Sequence, residues 1–358
     1  MYLRFFLLLV LVIFIPALVV ASDNTAPAPP VTAINFHQLG PERLGNQPAV
    51  IAPLDNPQTS AKILLGKKLY FDTRLSKDNT ISCASCHDPA MGWSDAGPTS
   101  TGIDNQKGGR RAPPVANSAY NPLQFWDGRA PSLEEQAKGP VENPIEMGNT
   151  HDVMVRSLND IPGYVEEFKA VFGSSPITVD QVARAIAAYE RTIVTTDSPF
   201  DRYVRGDNSA LTPLEKKGLE IFNGKGHCTA CHWGSNFSDG RFHNLGVKPA
   251  AGQKPDEGRY AITKNPKDMG AFKTPIVRDA AARPPYMHNG TEKTLEDVMV
   301  LYNRGGGDDD DNLDPLMVPL GLSKKEVEAL TAFVKRAMTS LNPSVANEQP
   351  IPKSELPE

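Results

Sequence analysis

Apolar positions along the chain return mostly at the spacing of helices. Leu64, Leu65, Leu69 and Tyr70 predict a helix that begins near Ser60 and leads toward Cys83. Ser132-Leu133-Glu134-Glu135 reads as a capping box, so a helix should start after Ser132. Thr178-Val179-Asp180-Gln181 is a second box, and Val179, Val182, Ile186, Tyr189 and Ile193 behind it share one face. Thr212 and Pro213 suit the N-cap and N1 positions of a helix running through Leu219 and Phe222 to Cys228. Thr294 caps a stretch with Leu295, Val298, Met299 and Tyr302 on one face, and Ser323-Lys324-Lys325-Glu326 opens another with Val327, Leu330 and Val334 inward. No stretch sustains strand alternation, so the expected fold is mainly α with long loops.

The stretch Leu64-Leu65-Gly66-Lys67-Lys68-Leu69-Tyr70-Phe71 is echoed by Lys216-Lys217-Gly218-Leu219-Glu220-Ile221-Phe222. That repeat predicts two similar modules, 49–200 and 201–341, with Asp197 to Asn208 as the hinge. Asp88 to about Asn121 is rich in Gly and Pro and reads as a long wrapping loop.

The ends differ from the middle. Met1-Tyr2-Leu3-Arg4 is basic, Phe5 to Ile15 is apolar, and Val19-Val20-Ala21 offers a small-residue cleavage site. Residues 1–21 therefore read as a signal peptide, and export suggests a bacterial periplasm. An uncleaved N-terminal anchor is the alternative, but the apolar run is short for a membrane span. Residues 22–48 read as a flexible leader and 342–358 as a flexible, Pro-rich tail.

Composition narrows the class. Of 358 residues, 32 are Pro and 7% are aromatic, which fits loop-rich domains whose cores are partly supplied by a buried cofactor. The net charge of −5 is scattered, which argues against nucleic acid as a partner, and Asp308 to Asp311 read as a solvated acidic loop.

All four cysteines fall in two copies of one motif, Cys83-Ala84-Ser85-Cys86-His87 and Cys228-Thr229-Ala230-Cys231-His232. Cys-x-x-Cys-His is the attachment signal for c-type haem: two thiols add to the vinyl groups and the histidine ligates iron. Two covalently bound haems are expected, with His87 and His232 as iron ligands. Half a zinc site or a redox dithiol could explain one copy, but not two with no cysteine to spare. His37, His151, His227, His243 and His288 remain, and are read mostly as surface or loop residues.

Further runs resemble a family. Phe125-Trp126-Asp127-Gly128-Arg129, Gln136-Ala137-Lys138-Gly139-Pro140, Glu146-Met147 and Pro285-Tyr286-Met287-His288-Asn289-Gly290 look like the bacterial dihaem cytochrome c peroxidases, a group that includes the protein-oxidising enzyme MauG. The resemblance spans about Leu64 to Met338. It implies that 49–200 is a peroxidatic haem domain and 201–341 an electron-transfer haem domain. Glu146 would then be the acid/base group for peroxide cleavage, Gln136 a distal-pocket support, Pro140 part of the pocket wall and Trp126 the relay between haems. Each also has a plainer reading: an exposed carboxylate, a helix-surface amide, a helix stop and a packed core residue. Trp93 and Trp233 are read as packing at the haem edges.

Three departures modify that picture. Aligning through Gln106-Lys107-Gly108 places Ile103 where peroxidases that need reductive activation carry a distal histidine, and no histidine occurs between His87 and His151. The first haem is therefore expected to be open at rest. Counted from His288, the position where typical peroxidases carry a methionine ligand holds Tyr302, as in MauG. A phenolate stabilises oxidised iron, whereas a thioether does the reverse. Met299, one turn back, is the competing ligand. Third, Arg111 and Arg283 replace residues that help hold calcium between the domains in the family, which argues against calcium here.

The leading expectation is a periplasmic dihaem peroxidase that reduces hydrogen peroxide with electrons from a c-type cytochrome, a cupredoxin or another redox protein. A MauG-like enzyme that oxidises side chains of a partner protein is the alternative. A non-catalytic dihaem electron carrier is the third reading, disfavoured by Trp126, Gln136 and Glu146. The resemblance also carries the expectation of a homodimer.

Overall fold

The computed structural model describes residues 44–307, 311–341, 345 and 348–358. The signal peptide, most of the leader, His37 and Asp308 to Asp310 lie outside the described residues. No described helix is long and apolar enough to cross a membrane.

Among the described residues ten α-helices carry the fold, and five belong to the first half. They are α1 (Ser60–Phe71), α2 (Leu133–Glu142), α3 (His151–Asn159), α4 (Pro162–Phe172) and α5 (Val179–Glu190). The second half has α6 (Pro199–Val204), α7 (Pro213–Asn223), α8 (Tyr260–Thr263), α9 (Leu295–Asn303) and α10 (Lys324–Ala332). The described strands are two residues long, β1 (Phe242–His243) and β2 (Phe272–Lys273), and pair antiparallel. The mainly α class is therefore correct.

Local capping explains most helix starts. Reciprocal boxes form at Thr178/Gln181, Thr212/Glu215, Thr294/Asp297 and Ser323/Glu326. Ser132 caps α2 through the Glu135 N–H, but the Glu135 carboxylate turns to Lys138, so only half of the expected box is made.

The core falls into two clusters. One gathers Leu65, Leu69, Tyr70, Phe168, Ile186 and Tyr189 from the first half. The other gathers Phe200, Phe222, Phe237, Leu330 and Phe333 from the second. The same device closes both. A Cβ on Gly66 of α1 would lie 1.9 Å from the Ala185 carbonyl oxygen of α5, and one on Gly218 of α7 would lie 2.1 Å from the Ala329 carbonyl oxygen of α10. The repeated glycine thus marks where the two helices of each half touch backbone to backbone. Because Gly66 sets that face, Leu64, expected inward, is 52% exposed.

The segment expected to be a hinge and the described residues of the tail expected to be loose both make packing contacts. Within the supposed hinge, α6 buries Phe200 and Asp201, and Asp201 accepts two bonds from the buried Arg278 guanidinium at 2.8 and 2.9 Å. The tail runs back over the first half. Trp93 Nε1 donates to the Val345 carbonyl (2.9 Å), Arg74 to that of Pro357 (3.0 Å), and the Gly163 N–H to that of Glu358 (2.8 Å). At the other end, Leu44, assigned to the leader, is buried in the second cluster.

Candidate dihaem site

Each attachment motif opens onto its own cavity. Cys83, Cys86 and His87 line one of 590 Å³, and Cys228, Cys231 and His232 line one of 320 Å³. Both volumes lie within the roughly 300–1,000 Å³ of cofactor sites.

The donors fit haem. All four cysteines are free of disulfides. Burial lowers the pKa of His87 and His232, favouring the neutral imidazole that binds metal. His232 Nδ1 lies 2.9 Å from the Phe237 carbonyl, which can only accept, so Nδ1 carries the proton and Nε2 is left free for iron.

Residues from α2 and the loop beyond it also line the first cavity. Gln136 and Pro140 line it from α2, and Glu146 from the following loop. The Ile103 N–H donates to the Glu146 carbonyl (2.9 Å), and Asn143 Nδ2 donates to Glu146 Oε1 (2.8 Å). Burial raises the Glu146 pKa, while the Arg129 charge and the Asn143 bond oppose it. The result is a partly buried carboxyl oriented by Asn143, on a backbone held by Ile103, and able to exchange a proton with the cavity. Arg129, which the sequence reading missed, stacks 3.4 Å over the Phe125 ring.

His87 is the only histidine among the described residues lining this cavity. Ile103 is buried outside it, against Gly148. His151 turns to the Lys138 carbonyl at 3.0 Å.

Tyr302 and Met299 of α9 both line the second cavity. Burial raises the Tyr302 pKa, so the phenol stays neutral unless a cation stands opposite it. His227, His243 and His288, expected at the surface or in loops, line this cavity as well. His243 is held between Asp314 (2.6 Å) and Asp239 (3.0 Å). Burial alone would lower its pKa, but bonds to Asp239, Cys231 and Asp314 raise it to about 11. Trp93 and Trp233 line neither cavity; Trp93 packs instead on Tyr70 and Tyr189, with ring centroids 5.9 and 6.4 Å away.

Trp126 borders both cavities, and its Nε1 donates to the Arg111 carbonyl (2.8 Å). It sits at the tip of a tight loop closed by a Gln124–Ala130 bridge. A matching loop, closed by Tyr286–Glu292, carries His288 at its tip, 6.5 Å from Trp126. Phe125 and Met287 both adopt positive φ (66° and 69°), as do Gly128 and Gly290 (68° and 65°). Each loop leans on the other half: a Cβ on Gly128 would strike Phe242, and one on Gly290 would strike Pro98. The backbone bonds cross likewise, Lys273 N–H to the Trp126 carbonyl (2.8 Å) and Arg111 N–H to that of His288 (2.7 Å). Arg111 precedes Trp126 by the same interval as Lys273 precedes His288. That shared spacing is the signal by which this duplicated wall could have been found in the sequence.

Two cavities in one helical chain, each lined by a Cys-x-x-Cys-His motif and both bordered by Trp126, are the arrangement of a dihaem protein. The sequence profile described as di-haem cytochrome c peroxidase matches residues 60–209. The chain is 39% identical to the cytochrome-c peroxidase IdrP1 of Denitromonas iodatirespirans, over 94% of this chain and 95% of that one. It is 41% identical to the methylamine utilization protein MauG of Methylorubrum extorquens, over 79% and 80%. A solved MauG-like protein associated with microbial copper homeostasis superposes with a TM-score of 0.77 at 31% identity, covering 84% of this chain and 95% of that one. The chain belongs to the di-haem cytochrome c peroxidase family, and it is an oxidoreductase of the cytochrome-c peroxidase type with haem cofactors.

Proposed function

We propose that the chain is an exported, periplasmic peroxidase that reduces hydrogen peroxide to water, taking two electrons from a small redox protein such as a c-type cytochrome or a cupredoxin. Cys83 and Cys86 would hold one haem covalently with His87 as iron ligand, and Cys228 and Cys231 the other with His232. Haem iron supplies the one-electron chemistry that a side chain cannot.

The observation that carries this reading is Glu146 on the His87 cavity, which no second histidine among the described residues lines. Peroxide reduction moves a proton from one oxygen to the departing one and takes up two protons in all. Glu146 is the group placed to carry them, and its raised pKa brings it nearer to neutral pH. Asn143 keeps the carboxyl oriented, and Gln136 offers an amide to the same space. Trp126 borders both cavities and would relay electrons from the His232 side.

Glu146→Gln keeps the shape and the Asn143 contact but cannot exchange a proton. Peroxide turnover should fall about 10²–10⁴-fold, the span of acid–base contributions, with both haems retained by haem assay. Turnover within threefold of the parent protein would sink the assignment.

Tyr302 on the second cavity favours a second reading, a MauG-like enzyme that spends the oxidising equivalents on side chains of a partner protein. The product separates the two: oxidised donor protein for a peroxidase, a covalent change on the partner for a MauG-like enzyme.

A further inference from the structure

We propose that the Lys273 ammonium is the counter-ion of a propionate carboxylate on the second haem. This rests on the two-haem reading above. Lys273 belongs to β2, lines the His232 cavity and is 7% exposed. Its backbone N–H is spent on the Trp126 carbonyl, but its Nζ makes no hydrogen bond or ion pair with any described residue.

Arg111, its counterpart in the duplicated wall, is the control. It is equally buried, and its guanidinium donates to the carbonyls of Asp95, Gly97 and Arg283. One buried cation is thus satisfied by protein and the other is left facing a cavity. Buried ammonium groups stay charged when paired with an anion. No described charged group acts on Lys273; burial alone lowers its pKa, to about 8. The anion must then come from the occupant of the cavity. Thioether bonds at Cys228 and Cys231 would use the vinyl edge of a haem, leaving its two propionates as the carboxylates available.

The test uses the holoprotein. Haem content comes first, because fewer than two haems per chain overturns the two-haem reading itself, whatever Lys273 does. With two haems present, the midpoint potential of the low-spin haem is followed by spectroelectrochemistry from pH 5 to 9 in the parent protein, Lys273→Met and Lys273→Arg. A propionate stripped of its counter-ion titrates. Lys273→Met should therefore show a potential that falls with rising pH and ends below that of the parent, while Lys273→Arg tracks the parent. A Met variant that tracks the parent across the range overturns the proposal. Should the Met variant not assemble, Lys273→Gln takes its place: a pH-dependent fall in Gln but not in Arg supports the pairing, and like profiles in Gln and Arg overturn it.

Discussion

Arg111 offers the most direct test of what holds the two halves together between the cavities. It is 4% exposed, and its backbone N–H donates to the His288 carbonyl at 2.7 Å. Its guanidinium binds the Asp95 and Gly97 carbonyls closely and reaches that of Arg283 at 3.4 Å. Carbonyl oxygens gathered from both halves are also the donors a hard metal ion would choose. In this structure the Arg111 guanidinium is bonded to those carbonyls. Arg111→Met keeps most of the volume and removes every side-chain donor. Hydrogen bonds to a charged group contribute about 1.5–3 kcal/mol each, so the two close ones together are worth about 3–6 kcal/mol. Relief from burying the guanidinium offsets part of this, leaving an expected loss of about 3–5 kcal/mol, the range for breaking a buried charged contact. The assay is urea denaturation of the holoprotein, with a calcium chelator and again with added calcium. The parent should unfold identically in both. The variant should be weaker in chelator and partly recovered by calcium, which can occupy the freed carbonyls. A loss below about 1 kcal/mol, or a parent destabilised by chelation, would refute the reasoning.

Two further outcomes are expected. Glu190 closes α5, is 4% exposed and lines the first cavity; burial raises its pKa to about 8, helped by Glu134 and opposed by Arg191. The native state then binds the proton more tightly than the unfolded chain. Its stabilising contribution is complete below the ordinary carboxyl value of 4.5 and is lost as pH rises through about 8. Glu190→Gln should flatten the decline across that window in a pH series of denaturation curves, and an unchanged slope would rule this out. Tyr302→Phe should alter the low-spin electron paramagnetic resonance signal of the oxidised holoprotein while Met299→Leu leaves it alone. The opposite pattern would move the ligand role to Met299.

The helix starts were legible because their determinants lie within four residues. Thr178 and Gln181, or Ser323 and Glu326, satisfy each other wherever the chain later goes. The face a helix buries is set from outside it. Leu64 and Leu65 read alike in sequence, and the approach of α5 over Gly66 decides between them. The packed tail was invisible for another reason. The groups that dock it are the carbonyls of Val345, Pro357 and Glu358, which every residue type carries. The buried pair inside the expected hinge was not legible, because Asp201 looks like a solvent residue until Arg278 is brought beside it. At the site, the attachment motifs could be read because their chemistry is residue-specific, whereas Glu146 was singled out only through the family resemblance, and it lines the His87 cavity. Lys273 could not be read: a lysine on a two-residue strand has no periodic signature, and its burial emerges only when the second half closes over it.

Duplication alone would give two equal cavities and no preferred direction for an electron. The shared wall is where the copies have diverged. At its tips an oxidisable indole, Trp126, faces the imidazole of His288, whose pKa burial drives down to about 4 so that it adds no charge. Behind the tips the two cations differ in what they do. Arg111 spends its charge on protein carbonyls, whereas Lys273 presents its charge to the second cavity alone. A positive charge at the edge of one cofactor favours the added electron there, even when a propionate partly offsets it. Glu146 lines the other cavity, where on the proposed function it would supply protons. On the proposed function, storage and consumption would fall to different cavities bordered by Trp126, and the Lys273 charge would favour the electron on the His232 side against the opposing pull of a Tyr302 phenolate.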